Sequence, residues 1–272
     1  MKGLIITGRL KKSLKVILGR DYARRDIHVY PDDTFITSYP KSGNTWVRFM
    51  IGNLIYPNLQ ITFVTIEQLL PDIYQHTNYT LNRIPRPRIL KSHEYFDPGY
   101  KNIIYIIRDP RDVAVSYYYH CLKMRVIDNK CTLEDFIDMF ISGEIDTFGS
   151  WAENVASWIF TRKYREKFIL LRYEDMISNP INELQKIAEF LAKGTDRREL
   201  ERAVRLSSAE NMRKIEEKEG GVWKPIKRSR KDIHFIRSAT ANGWKDILPD
   251  HCVKKITSAF EDVMQTVGYL NK

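Results

Sequence analysis

Cysteine is scarce in this 272-residue chain: Cys121, Cys131 and Cys252 are scattered and lack the paired spacing of a zinc site. A disulfide framework is excluded, and a reduced, cytoplasmic setting is expected. No apolar run approaches the roughly 20 residues needed to span a bilayer. The longest are strand-sized, such as IIYII at 103–107, so no transmembrane helix is expected. The opening MKGLIITGRLKKSLKVILGR threads basic residues through its apolar ones, leaving no uninterrupted core for a signal peptide, and secretion is not expected. Glycine (13) and proline (11) are too few for collagen or low-complexity sequence, and 43% hydrophobic residues indicate an ordinary globular chain.

Acidic residues are also in deficit, 34 against 44 Lys plus Arg, for a net charge of +10 that predicts an anionic partner. The excess is local. Residues 1–25 carry +7 and residues 211–245 carry +6, so the remainder sums to −3. The N-terminal stretch reads either as a helix packed on the domain with solvated lysines or as a weak membrane-surface contact.

Strand and helix patterns alternate. DTFITSY (33–39), RILKSH (88–93), NIIYIIR (102–108) and KFILLRY (167–173) read as strands, the third as a buried parallel one. Helical spacing follows at 45–56, at 110–123 behind Asp109-Pro110, at 181–192, from about 196 to 218, and from Pro249 to the end. This order predicts a three-layer α/β/α fold, in one domain over 1–272, with a mainly parallel sheet. The aperiodic 219–244 reads as a loop covering a site, and 1–30 as a basic N-terminal segment.

TSYPKSGNTW (37–46) sits where the first strand meets a helix N-terminus. Free backbone N–H groups and the helix dipole make that position an anion site. Gly43 permits close approach, Lys41 supplies charge, and Ser42, Asn44 and Thr45 are short donors. The turn is P-loop-like but departs from GxxxxGK[ST], because Lys41-Ser42 precede the glycine and the leading glycine is missing. Lys91 and His93 in RILKSH share one face of a strand at a period of two and so can reach one centre. Arg108 at a strand end suits a phosphate, or else an ion pair with Asp109 or Asp112.

Taken in order, YPKSGNTW, KSH, RDPRDVAVSYYYH, YED and FIR…GWK resemble the cytosolic-type sulfotransferase family, which uses 3′-phosphoadenosine-5′-phosphosulfate. The resemblance runs from about residue 33 to 245. It implies that Lys41, Ser42, Gly43, Asn44 and Thr45 hold the 5′-phosphate, with Asn44 in place of the common Thr at little cost, and that Trp46 lines the adenine. It implies that Arg108, Ser116 and Arg237 bind the 3′-phosphate, and that Tyr173 and Ser207 lie at the adenine. Ala209 stands where an aromatic is frequent, and Ser238 and Ala239 replace a Lys-Gly pair, so the nucleotide loop has one charge and one flexible residue fewer.

By the same resemblance His93 is the catalytic base, with Lys41 and Lys91 stabilising charge on the leaving phosphate oxygen. The implied reaction is in-line sulfuryl transfer to a hydroxyl or amine of a small organic acceptor, releasing 3′-phosphoadenosine-5′-phosphate, with no metal required. Tyr95, Phe96, Tyr117, Tyr118, Tyr119 and His120 are candidates for an acceptor pocket, although core packing accounts equally well for most of these aromatics. Other readings are a carbohydrate sulfotransferase, a nucleotide or small-molecule kinase, and a nucleic-acid binder using the basic 211–245 with Trp223 and Trp244. Nucleic acid is not the expected partner. The oligomeric state is open, because the dimer motif of animal members is not evident after Trp244-Lys245.

Overall fold

The computed structural model describes residues 23–270. The proposed membrane-surface segment therefore lies almost entirely outside the described residues. Four strands form one parallel sheet: β1 (Thr34–Ser38), β2 (Ile89–Ser92), β3 (Asn102–Ile107) and β4 (Phe168–Arg172), ordered β2-β1-β3-β4. In register, Ile36 lies beside Lys91 on one side and Ile104 on the other. All four strands coincide with the expected runs, shortened by one residue at each end except at the start of β3.

The helices are α1 (Asn44–Ile55), α2 (Phe63–Leu69), α3 (Asn78–Leu81), α4 (Pro110–Met124), α5 (Leu133–Ser142), α6 (Trp151–Arg162), α7 (Tyr173–Ser178), α8 (Pro180–Phe190), α9 (Arg197–Leu206), α10 (Ala209–Glu219), α11 (Asp250–Ala259) and α12 (Glu261–Thr266). The helical stretch expected over 196–218 is two helices, because the Ser207 hydroxyl turns back to Ala203 O and Ser208 caps α10. The final helix likewise breaks at Phe260. Helices α2, α5 and α6 lay outside the expectation, although each begins with a reciprocal cap: Thr62 with Thr65, Thr132 with Asp135, and Ser150 with Glu153.

Alternation along the strands divides the core. Phe35, Leu90, Ile103, Tyr105 and Ile107 face α4, α5, α6, α11 and α12, whereas Ile36, Ile104 and Ile106 face α1, α2, α8, α9 and α10. Both sheet faces are covered, which is why β3 reads as an unbroken apolar run. Since β2 and β3 flank β1, the strand order reverses at β1/β3. Their carboxyl ends are where open parallel sheets form a ligand crevice.

At the opposite end of the sheet, Arg88 and Asp33 form a fully buried ion pair, with Nε to Oδ1 at 2.8 Å. Arg88 also donates to Leu81 O (3.1 Å) and His28 O (2.7 Å), tying the starts of β1 and β2 to the chain before them. Removing one partner strands a buried charge. Arg88→Ala should therefore lower stability by about 3–5 kcal/mol, read as a reduced urea midpoint with an unchanged slope; a loss below about 1 kcal/mol would refute this role.

Candidate active site

A cavity of about 1010 Å³ opens at the β1/β3 carboxyl ends. Its floor is the turn between β1 and α1. Gly43 caps α1 with φ +105°, and a Cβ there would approach Tyr173 Cδ2 to 2.8 Å, so only glycine fits both the backbone and the neighbouring ring. Lys41 is also left-handed, at φ 68°. Its ammonium lies 4.7 Å from the centre of the Phe235 ring, and burial, then Arg108 and Lys91, pull its pKa down to about 7.

Arg108 follows β3. It donates to Lys41 O (3.2 Å) and Thr240 O (3.0 Å), and stacks 4.1 Å over Tyr173. It forms no ion pair with its acidic neighbours: Asp109 binds Arg111, and Asp112 accepts from the backbones of Asn242 (2.7 Å) and Trp244 (2.9 Å). Arg237 covers the Tyr119 ring at 4.5 Å. Arg108 Nε, Arg237 Nε and Ser42 Oγ are buried without a partner. Buried donors of this kind are ordinarily satisfied, and an anion in the cavity would satisfy the two guanidinium groups.

Lys41, Gly43, Asn44, Thr45, Trp46, Arg108, Ser116, Tyr173, Arg237, Ser238 and Ala239 all line the cavity, as do Lys91 and His93. Two anticipated ligands do not. Ser42 is buried beneath the turn, and Ser207 is enclosed between Asn53 Nδ2 (3.1 Å) and Ala203 O (2.8 Å), where it shapes the α9–α10 corner. The Asn44 carboxamide also turns inward, reaching Ile36 O (3.0 Å), Ser38 Oγ (3.3 Å) and Ser92 O (3.5 Å). Only its backbone N–H is left to face an anion. A threonine has a single donor and could not span both strands, so Asn44 is not the near-neutral replacement expected.

His93 follows β2, and its Nδ1 lies 2.7 Å from Ser38 O. A carbonyl only accepts, so Nδ1 carries the proton and Nε2 keeps its lone pair. Burial and then Lys91 hold the imidazole pKa well below its usual value, so the ring is neutral at pH 7. Tyr74 is parallel to it at 6.1 Å, and Phe148 meets it edge-on at 5.5 Å. Lys91 is tethered by Nζ to Asp72 Oδ2 at 2.6 Å. Among the candidate acceptor residues Tyr117 and His120 line the cavity; Tyr95, Phe96, Tyr118 and Tyr119 do not. Tyr74 and Phe148 were not anticipated, because single aromatics outside any motif carry no sequence signal.

Residues 223–239 supply the facing wall, with Trp223, Ile226, Phe235 and Ile236 among its lining side chains. This segment is fastened by charged side chains the motifs do not flag. Arg213 donates to Ile236 O (2.9 Å) and Arg237 O (2.8 Å), Glu216 accepts from Phe235 N (2.6 Å), and Lys123 donates to Ile233 O (2.6 Å). Trp223 packs on Phe63 at 4.5 Å, and Trp244 lies under Arg111 at 4.1 Å. Neither indole is an open stacking platform for nucleic acid. Among the described residues one group could hold a metal ion, Glu134, His251 and Cys252, and none of the three lines the cavity.

Comparison with known proteins agrees with this architecture. A model of the sulfotransferase domain matches residues 31–268. Mouse sulfotransferase 1 family member D1 is 32% identical over 235 residues, covering 79% of this chain and 78% of the relative. Dog sulfotransferase 1B1 is 31% identical over 229 residues, covering 75% and 77%. The crystal structure of mouse SULT7A1 complexed with PAP superposes with a TM-score of 0.72 at 25% identity, over 88% of this chain and 86% of that one. A parallel sheet with helices on both faces, a cationic turn after β1 and a domain match over most of its length lead to one conclusion: the chain belongs to the sulfotransferase family.

Proposed function

We propose that the cavity takes 3′-phosphoadenosine-5′-phosphosulfate along the turn at Lys41–Trp46 and that His93 deprotonates a hydroxyl of a small acceptor. The observation that carries this reading is the 2.7 Å contact between His93 Nδ1 and Ser38 O. With Nδ1 held by Ser38 O, Nε2 is a neutral base inside the same cavity as Lys41, Lys91, Arg108 and Arg237. Gly43 lines the cavity at the N-terminus of α1, a position that suits one phosphate, and the unpartnered donors of Arg108 and Arg237 suit a second. Ser116 and Ser238 line the cavity between them, and Trp46 and Tyr173 meet edge to face at 5.8 Å beside the turn.

The donor supplies an activated sulfuryl group, and the protein supplies position and charge. Lys41 and Lys91 face the phosphate oxygen from which the sulfur–oxygen bond breaks. His93 Nε2 receives the proton as the acceptor oxygen bonds to sulfur. The burial that keeps His93 neutral also strengthens each charge interaction at the centre.

Three outcomes test this reading. His93→Ala should lower sulfuryl transfer by about 10²- to 10⁴-fold while the protein still binds 3′-phosphoadenosine-5′-phosphate; turnover within threefold of the parent would remove His93 from the base role. Lys41 has a lowered pKa, to about 7, and a bound phosphate raises it again, so binding takes up a proton near neutrality. Nucleotide affinity should accordingly weaken as pH rises from 7 to 9, by at most about tenfold per unit. Calorimetry in buffers of different ionisation enthalpy measures the uptake, and a pH-independent affinity would contradict it. Asp112→Ala frees the backbone N–H groups of Asn242 and Trp244, so limited proteolysis should cut within 219–244 faster and nucleotide affinity should fall; an unchanged cleavage rate is the contrary result.

A further inference from the structure

The carboxylates lining the acceptor half of the cavity are almost all matched by cations. Glu67 pairs with Arg48 at 2.9 Å, Asp72 with Lys91 at 2.6 Å, and Glu94 with Arg25. Asp26 is solvent-exposed at the rim, beside Arg24. Asp146 is different. It is half-buried, it lines the same cavity, and no cation pairs with it among the described residues. Its two oxygens accept from Phe148 N (2.6 Å) and from the Tyr117 hydroxyl, neutral donors that orient the carboxylate without neutralising it.

The carboxylate is also held in place. It belongs to the segment joining α5 to α6, which ends at Gly149 with φ +64°, where a Cβ would collide with Tyr95 Oη at 1.5 Å. Phe148 lies 5.2 Å from Tyr74 and 5.5 Å from His93, so the segment that carries Asp146 packs against the proposed base. Tyr74, Tyr117 and Phe148 all line the cavity beside it. A negative charge in an aromatic surround is a site for an organic cation, which gains both the ion pair and the π-faces. Burial has raised the Asp146 pKa to about 6, the direction a carboxylate takes when no cation offsets desolvation.

We infer that Asp146 is the acceptor-recognition residue for a protonated amine, so that the preferred acceptor is a hydroxylated molecule carrying an ammonium group. This rests on the sulfotransferase reading and narrows it. A neutral steroid or a polyanionic glycan would bring nothing to answer the charge, whereas an amino alcohol or aminoalkyl phenol would. The chemistry is unchanged: the hydroxyl oxygen is sulfated, its proton passes to His93, and the amine remains protonated on Asp146.

Matched pairs test the inference: 4-(aminomethyl)phenol against 4-methylphenol, and 4-(2-aminoethyl)phenol against 4-ethylphenol. The parent protein should show kcat/KM higher for the amine in at least one pair by about tenfold or more, the size of one charge-assisted hydrogen bond. In Asp146→Asn, which keeps an acceptor for Phe148 N, the ratio should fall to near one. Equal kcat/KM within both pairs for the parent protein would overturn the inference without any variant. So would a ratio that survives in Asp146→Asn, or a loss equal for amine and neutral phenol, the mark of a loop brace. Calorimetric binding of each pair to the protein loaded with 3′-phosphoadenosine-5′-phosphate separates the two readings. Preferential binding of the amine with no transfer to any phenol supports Asp146 as the cation site and refutes sulfuryl transfer to these acceptors; transfer without preference does the reverse.

Discussion

Positive charge that the protein does not itself neutralise governs this structure. Lys41 and Arg108 converge at the carboxyl ends of β1 and β3 with aromatic faces for company, the first against Phe235 and the second against Tyr173. A buried ammonium beside a guanidinium is a destabilising arrangement, and it is borne at a residue whose backbone is itself left-handed. The surrounding fold absorbs that cost by covering both sheet faces, so that the crevice is stiff and its charges cannot relax into solvent. An anion held between these two cations would relieve the repulsion.

The chain's basicity divides on the same line. Arg213, Arg230 and Lys231 belong to the strongly basic 211–245 segment, yet they bind backbone carbonyls, Asp232 or Asn129 within the segment's own surroundings. Asp112 and Glu216 hold the same segment from the opposite sign. Much of the local +6 therefore fastens a wall, and the part that faces the cavity is concentrated in Arg237. The side of the cavity proposed for the acceptor carries the carboxylates Glu67, Asp72, Glu94 and Asp146, the last with no cation paired to it among the described residues.

The strands, the turn and the ends of α1 and α4 were legible because each is written in contiguous residues: an apolar run, then proline or glycine, then a helical period. Four cations of the lining, Lys41, Lys91, Arg108 and Arg237, and the neutral His93 were legible for the same reason, since they sit in short ordered motifs. Ser42 and Ser207 show the limit. Their place in a motif is visible, but whether a hydroxyl faces ligand or backbone depends on packing with residues far away in the chain, Asn53 in the case of Ser207. Tyr74, Phe148 and Asp146 were out of reach altogether. They come from two connections, Tyr74 from the one between α2 and α3 and the other two from the one between α5 and α6, and Tyr74 and Phe148 become neighbours of His93 only in the folded chain.

The inward turn of Asn44 fixes a length. One carboxamide bridges Ile36 and Ser38 on β1 and Ser92 on β2, and the chain continues from those anchors into the two ends of the proposed reaction, the Lys41 turn and His93. His93 in turn holds Ser38 O, closing a ring of contacts from strand to base and back. Errors in spacing accumulate along a path of many soft links, and this path has very few. The separation between the Lys41 turn and His93 is thus gauged by a single amide. A protein built this way can vary its outer wall and its acceptor loop freely while the span across its reaction centre stays constant.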